Sequence, residues 1–191
     1  MSISRGNNSR ISPEYVLLGF LYDHPSHGYE LNKRLVDEFG YIWRVSQSQT
    51  YNILSRLQLQ GYITSTEVEQ EKLPPRQLLS LTDAGLQRFN TWLETPSRCS
   101  VHAIRVEFTT RLYFIHRYYP AQTREAITVQ LTQVREGIKH LREARASLEE
   151  DQLFVRMALD MRIRLLGSII DWLGECQQVL STAHPEGAGH A

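Results

Sequence analysis

Hydrophobic side chains recur at helical spacing in four stretches of the first 95 residues, which predicts four helices. They begin near Pro13, Gly28, Ser46 and Asp83. Gly40 ends the second helix and Gly61 the third, as glycine does at helix C-termini. The side chains expected to face the core are Leu31, Leu35, Val36 and Phe39 in the second helix, and Tyr51, Leu54, Leu57 and Leu59 in the third.

Beyond Gly61 the period changes from helical to alternating. Residues 62–69 and 77–81 are rich in β-branched, aromatic and aliphatic residues, which predicts two strands joined by a loop over Gln70–Arg76. Three helices, a hairpin and a fourth helix follow the order of a winged helix-turn-helix. The expected fold is therefore mainly α with a small β-hairpin, and residues 13–95 form its first domain.

A second domain is expected over residues 101–180, after a linker at Thr95–Arg98. It contains a helix near 104–118 and two long helices near 120–150 and 151–180. The first long helix carries apolar residues spaced by four and three, which is a heptad seam in which Arg145 occupies one apolar slot. The seam consists of Ile127, Leu131, Val134, Ile138, Leu141 and Leu148.

The last helix carries two apolar stripes, separated by roughly 140° on a helical wheel. The preceding helix can cover one stripe, and a second copy of the chain is the simplest cover for the other. The alternative is a central helix in a monomeric bundle. The residues predicted to form the dimer contact are Phe154, Met157, Met161, Leu165, Ile169 and Trp172.

Charge offers no general support for a nucleic-acid partner. Lys plus Arg and Asp plus Glu both total 21, and residues 1–98 hold ten of each. No apolar run is long enough to predict a membrane span, and the polar start lacks a secretory signal. Cys99 and Cys176 are far apart and form neither a disulfide framework nor a zinc motif, so we expect a cytoplasmic protein.

The third predicted helix has the local chemistry of a DNA-reading helix. No Asp or Glu occurs from Gly40 to Thr66, whereas side chains that hydrogen-bond to bases and phosphates are dense. Two alternatives remain open, a polar helix end that only faces solvent and a winged helix that binds proteins as an adaptor. The predicted DNA contacts in this helix are Ser46, Gln47, Ser48, Gln49, Thr50, Tyr51, Asn52 and Arg56, and those in the wing are Lys72 and Arg76.

An enzymatic site is not indicated. The seven histidines are scattered, and no HExxH, GxSxG or glycine-rich phosphate loop occurs. His24 and His27 lack further ligands for a metal. We expect no catalytic residues, no metal and no cofactor.

Several short motifs together resemble the PadR family of transcriptional regulators. They are Leu17-Leu18-Gly19 with Leu21, His27-Gly28-Tyr29-Glu30-Leu31, Tyr51 with Leu54 and Arg56-Leu57, Gly61-Tyr62-Ile63, Leu81-Thr82-Asp83-Ala84-Gly85, and Trp92-Leu93. The later Arg105-Val106-Glu107-Phe108 is similar to the start of that family's helical C-terminal domain. The returning wing strand departs from the family pattern, because Leu78 and Leu79 stand where a tyrosine is usual.

The resemblance implies a homodimeric repressor that binds double-stranded DNA at an inverted repeat and is released by a small aromatic effector. Met161 or Trp172 would line an effector cavity at the dimer seam, and the alternative is that both residues only pack there. The resemblance also places Tyr29 at the N-terminus of the second helix, where free backbone N–H groups suit a phosphate. The alternative for Tyr29 is a ring packed inside the domain.

Overall fold

A computed structural model describes residues 12–70 and 73–182, and this part of the chain separates into two compact units that meet in sequence at Trp92 and Leu93. The fold is mainly helical with one small sheet, which confirms the predicted fold class. The first unit contains α1 (Glu14–Asp23), β1 (Ser26–His27), α2 (Gly28–Phe39), α3 (Gln47–Leu59), β2 (Ile63–Gln70), β3 (Leu73–Leu81) and α4 (Asp83–Glu94).

The sheet has three antiparallel strands in the order β1-β3-β2. Pairing of β2 with β3 runs from Ile63 opposite Leu81 to Gln70 opposite Leu73, so the predicted loop over Gln70–Arg76 was too long. Two features let β3 extend across Pro74 and Pro75. The ladder shifts register between Val68 and Gln70, and β1 reaches β3 only at Leu78 and Leu79. The two-residue strand β1 was too short to be predicted.

The core of the first unit follows the helical periodicity with three corrections. Leu31, Leu35 and Phe39 are buried on α2 at intervals of four, whereas Val36 is 51% exposed because it lies about 100° around the helix from Leu35. On α3, Leu54 and Leu57 are buried as predicted. Tyr51 and Leu59 are 41% and 89% exposed, so their assignment to the core was wrong.

The second unit is a helical assembly whose main feature is a long antiparallel hairpin. Its elements are α5 (Val101–Ala103), a π-helical turn (Ile104–Phe108), α6 (Thr109–Tyr118), a 3₁₀ turn (Pro120–Gln122), α7 (Thr123–Ala146) and α8 (Leu153–Thr182). The α7 seam is buried at Ile127, Leu131, Val134 and Ile138, where it packs with Leu166 and Leu173 of α8. Arg145 ends the seam with a bidentate ion pair to Asp160.

One buried carboxylate connects three helices of the first unit. Glu14 at the start of α1 is 8% exposed. Its Oε2 accepts a hydrogen bond from Arg56 Nη2 of α3 at 3.0 Å, and its Oε1 accepts one from Arg88 Nη2 of α4 at 2.5 Å. Arg88 also donates to the Tyr62 hydroxyl at 3.2 Å, and its guanidinium lies over the Tyr62 ring. This Glu14 cluster therefore helps to set the position of α3.

We expect Glu14→Gln to destabilise the protein by roughly 1.5–3 kcal/mol, the usual contribution of hydrogen bonds to charged groups. The lower end applies because Arg56 is half exposed and its charge is screened by solvent. Urea unfolding followed by circular dichroism measures the change. The control is Glu38→Gln, which removes a partly exposed pair with Arg34 of the i,i+4 kind, usually about 0.5 kcal/mol or less. Equal losses in the two variants would contradict the role of Glu14.

Candidate nucleic-acid interface

The start of α3 is defined by a reciprocal pair of hydrogen bonds between Ser46 and Gln49. The Gln49 backbone N–H donates to Ser46 Oγ at 3.3 Å, and the Ser46 backbone N–H donates to Gln49 Oε1 at 2.8 Å. This capping box satisfies two backbone donors at the helix terminus. It also engages both side chains with the helix itself, so Ser46 and Gln49 position α3 rather than offer their full hydrogen-bonding capacity to a ligand.

The outward side of α3 is polar and uncharged along most of its length. Its inward side is formed by Ile53, Leu54, Leu57 and Thr50. Thr50 is fully buried and donates its hydroxyl to the Ser46 carbonyl at 3.3 Å, so the prediction that it contacts DNA was wrong. Apart from Gln49 at the cap and Arg56, the exposed side chains of α3 are Gln47, Ser48, Tyr51, Asn52, Ser55, Gln58 and Leu59.

Two polar members of this surface, Ser55 and Gln58, were not predicted as contacts. Ser55 lies one turn beyond Tyr51 and Asn52, so a helical wheel would have found it. Gln58 donates to Ser65 Oγ at 2.9 Å and thereby joins the end of α3 to β2. That contact depends on the tertiary fold and has no local sequence signal. Arg56 lies beside this surface, half exposed, and is paired with Glu14.

A second part of the interface lies between the start of α2, the middle of α3 and the base of the wing. It is a cavity of about 330 Å³ lined by His27, Gly28, Tyr29, Tyr51, Leu54, Ser55, Gln58, Arg76, Gln77 and Leu79. His27 Nδ1 lies 2.9 Å from the Gln77 carbonyl oxygen, which ties α2 to β3. The Arg76 guanidinium lies 5.5 Å from the centre of the Tyr29 ring. Aromatic, amide and cationic groups thus converge beside α3.

Tyr29 is at the surface and not inside the domain, since 47% of it is exposed. Its hydroxyl donates to Glu30 Oε1 at 3.0 Å. That hydrogen bond, with smaller effects of desolvation and of the Glu30 charge, raises the pKa of Tyr29 above its ordinary value, while Arg76 acts in the opposite direction. Tyr29 therefore presents a neutral phenol to the cavity at physiological pH.

Glu30 changes what the N-terminus of α2 can bind. Its Oε2 accepts the backbone N–H of His27 at 2.9 Å, and this bond lowers the pKa of Glu30 below its ordinary value. An ionised carboxylate thus already occupies part of the positive end of the helix. A phosphate at this terminus would meet that charge, so Tyr29 and Arg76 are better placed than the backbone N–H groups to approach DNA.

The wing contributes one described cation to this surface. Arg76 is exposed on β3 opposite Val68, close to the end of the hairpin. Lys72, the other predicted wing contact, lies outside the described residues. Within the described part of the chain, no group of three or more His, Cys, Asp or Glu side chains could hold a metal ion. No helix there is long and apolar enough to cross a membrane.

The stripe predicted for dimerisation divides into two parts along α8. Phe154, Met157, Met161 and Leu165 are between 44% and 83% exposed. Ile169 and Trp172 are partly buried and pack against the core of the second unit. Ile169 and Trp172 are therefore held within the protomer more than the other four, which form an uncovered apolar surface.

Both halves of the chain match known families. Residues 17–91 match the Transcriptional regulator PadR-like family, and residues 104–181 match the family Virulence activator alpha C-term. The chain is 31% identical over 103 residues to the negative transcriptional regulator PadR of Bacillus subtilis, a match that covers 53% of this chain and 56% of that protein. It is also 25% identical over 181 residues to a probable transcriptional regulator of Mycobacterium tuberculosis, covering 87% of this chain and 96% of that protein.

Among solved structures, the chain is similar to Bacillus subtilis PadR in complex with operator DNA. The similarity covers 87% of this chain and 98% of that one, with 22% sequence identity and a TM-score of 0.44. The resemblance inferred from the short motifs is confirmed by the family match over residues 17–91. On that match, residues 17–91 form a domain of the PadR-like family of transcriptional regulators.

Proposed function

We propose that the protein is a sequence-specific DNA-binding repressor that acts as a homodimer on an inverted-repeat operator. The observation that carries the proposal is the outward side of α3, which is exposed, free of acidic residues and rich in amide and hydroxyl groups. The family match supports the same function, because its members are transcriptional regulators.

Base recognition is assigned to the first two turns of α3. Asn52 and Gln47 carry amides, which can bind the N6 and N7 edge of adenine through two hydrogen bonds. Ser48 and Ser55 supply hydroxyls for bases or phosphates, and Tyr51 presents a phenol from the same side. Gln49 stays with Ser46 at the cap. Specificity in this proposal rests on few side chains, all on one side of one helix.

Backbone contacts are assigned to Tyr29 and Arg76, which lie together on the other side of the cavity from α3. The Tyr29 phenol is neutral and can donate to a phosphate oxygen if it exchanges its Glu30 partner. Arg76 supplies the charge, and Lys72 is the further wing cation named by the sequence. Since Arg56 is already paired with Glu14, few cations per protomer remain for phosphate, and a dimer doubles their number.

Dimerisation is assigned to the exposed apolar surface of α8. Phe154, Met157, Met161 and Leu165 repeat at intervals of three and four and share one side of the helix. Complete burial of one such side chain contributes about 1.5–3 kcal/mol, so covering four in each protomer is a substantial driving force. A two-fold dimer would use the same surface twice, and binding to an inverted repeat would require its two α3 helices to lie about 34 Å apart, one turn of DNA.

Release of DNA by a small aromatic effector completes the proposal. A seam between two protomers along α8 would be bordered by Met161, which is 62% exposed, and by the partly buried Trp172. Both side chains suit contact with an aromatic ring. Repression follows where the operator overlaps a promoter, and regulation of its own gene is the first case to examine.

For DNA binding, we expect Asn52→Ala and Gln47→Ala each to weaken specific binding by roughly tenfold to a hundredfold, since a good bidentate base contact contributes about 1–3 kcal/mol. Arg76→Ala should weaken binding to all sequences and reduce the salt dependence by about one phosphate contact. Fluorescence anisotropy with the DNA upstream of the gene, between roughly 50 and 200 mM salt, measures both effects. Gln87→Ala, an exposed amide on α4, is the matched control.

Comparison of the α3 variants with the Gln87→Ala control tests whether α3 reads the bases. If Asn52→Ala and Gln47→Ala bind like the control, α3 does not read bases in the proposed way. If the unmodified protein binds neither the upstream DNA nor any member of a random-sequence pool, and a protein partner is recovered instead, the adaptor function replaces the repressor.

For the dimer, we expect Met161→Glu combined with Leu165→Glu to convert the protein to a monomer, because two buried carboxylates per protomer would lack partners. Light scattering after size exclusion at micromolar concentration measures the mass. Val129→Glu is the control, since Val129 is a similarly exposed apolar residue on α7, outside the α8 surface. A monomeric unmodified protein, or a double variant that remains dimeric, would contradict this interface.

A further inference from the structure

The α7–α8 hairpin contains an open cleft that the proposed function does not use. Two bonds set the antiparallel register of the helices, Arg145 with Asp160 near the turn and Gln177 Nε2 with Thr128 Oγ1 at 3.3 Å toward the other end. In this register Ile138 of α7 lies across from Gly167 of α8. The cleft opens at that position and has a volume of about 330 Å³.

The floor of the cleft is apolar and its edges are charged. Ile138, Ile163 and Ile170 form the floor around Gly167. Arg135 and Arg142 stand on the α7 edge, and Asp171 stands on the α8 edge. The volume lies within the range of small-molecule sites, which combine an apolar lining with a few polar groups that orient the ligand.

Gly167 is the reason for the space. A Cβ added there would meet no atom within 4 Å, so the glycine is not required by packing inside the protomer. Glycine in the middle of a helix costs about 0.5–1 kcal/mol relative to alanine. Here the missing side chain leaves Ile163 and Ile170 only partly buried, which is unfavourable unless something else covers them.

The charged side chains at the edges of the cleft indicate the charge of a ligand that would bind there. Neither the Arg135 nor the Arg142 side chain forms an ion pair or hydrogen bond with another residue in the ranges 12–70 and 73–182. The hairpin register places Asp171 near Arg135, at the opposite end from Arg142 and Ile163. One end of the cleft is therefore cationic, while the other combines opposite charges. A single anionic group fits at Arg142, and a second anionic group would meet Asp171.

The cleft and the proposed dimer surface are on different sides of α8. Gly167 and Asp171 lie roughly 80–160° around the helix from Met161 and Leu165, at 100° per residue. A second protomer packed on the apolar surface would thus leave the cleft accessible.

We propose that this cleft binds a small organic monocarboxylate with an apolar body. The carboxylate would pair with the Arg142 guanidinium in the planar, two-hydrogen-bond geometry that arginine favours. The hydrocarbon part would lie on Ile138, Ile163 and Ile170 in the space above Gly167. Arg135 would add a weaker, longer-range attraction because Asp171 offsets it.

Octanoate is the probe, and octanamide is its neutral counterpart. Isothermal titration calorimetry with the full-length protein, in the absence of DNA, should detect octanoate and show at least fivefold weaker binding of octanamide. Arg142→Gln should weaken octanoate binding at least fivefold and Arg135→Gln less. Because no DNA is present, this measurement separates failure of the ligand site from failure of the DNA-binding proposal.

A pair of glycines supplies the matched control for the cleft itself. Gly167→Leu should abolish octanoate binding by filling the space, whereas Gly174→Leu should leave it unchanged, since Gly174 also has open surroundings but does not line the cleft. Circular dichroism shows whether both variants fold. If Gly167→Leu does not fold, the octanoate affinities of the Arg142→Gln and Arg135→Gln variants test the site instead. No binding of octanoate, equal binding of octanamide, or equal effects of the two leucine variants would overturn the proposal.

Discussion

Burial of one side of α3 is the constraint on which the candidate DNA interface depends. Ile53, Leu54 and Leu57 pack into the first unit, and Thr50 joins them by returning its hydroxyl to the Ser46 carbonyl. Because these four side chains are buried, the rotation of α3 about its axis is set, and its remaining side chains face outward. The Glu14 cluster then limits movement of the helix, because Arg56 is attached to α1 through the carboxylate. The packing of one side of α3 in the core therefore determines which of its side chains are exposed for recognition.

Periodicity predicted the elements well and the surface of each element less well. The change of period after Gly61 and the seam from Ile127 to Ile138 both follow from burial on one side, and both are present in the structure. The assignment of Leu59 to the core failed because Leu59 lies roughly 140–160° around α3 from Leu54 and Leu57, on the outward side of the helix. The assignment of Val36 failed at the edge of the buried side of α2. An apolar residue next to a buried position can sit on either side of the boundary, and sequence alone does not fix the rotation of the helix to that accuracy.

The contact residues divide according to whether their partners are near or distant in sequence. The Ser46–Gln49 cap is a local motif, and its effect on Gln49 follows from spacing alone. The Glu30 carboxylate beside Tyr29 is also a local partner, and it occupies a helix terminus that otherwise suits phosphate. The pairing of Arg56 with Glu14, in contrast, spans 42 residues. Such long-range pairing decides which cations remain available, and neither composition nor net charge contains that information.

The Ser46–Gln49 cap has a practical consequence for scanning mutagenesis. Replacement of Gln49 by alanine would remove the side-chain oxygen that accepts the Ser46 backbone N–H at the first turn and allow that turn to fray. A loss of DNA affinity there would then be an ordering cost, with a large entropic component that grows on warming, instead of a lost base contact. Measuring the temperature dependence of binding would separate the two origins, and a single-temperature scan would assign Gln49 to recognition by mistake.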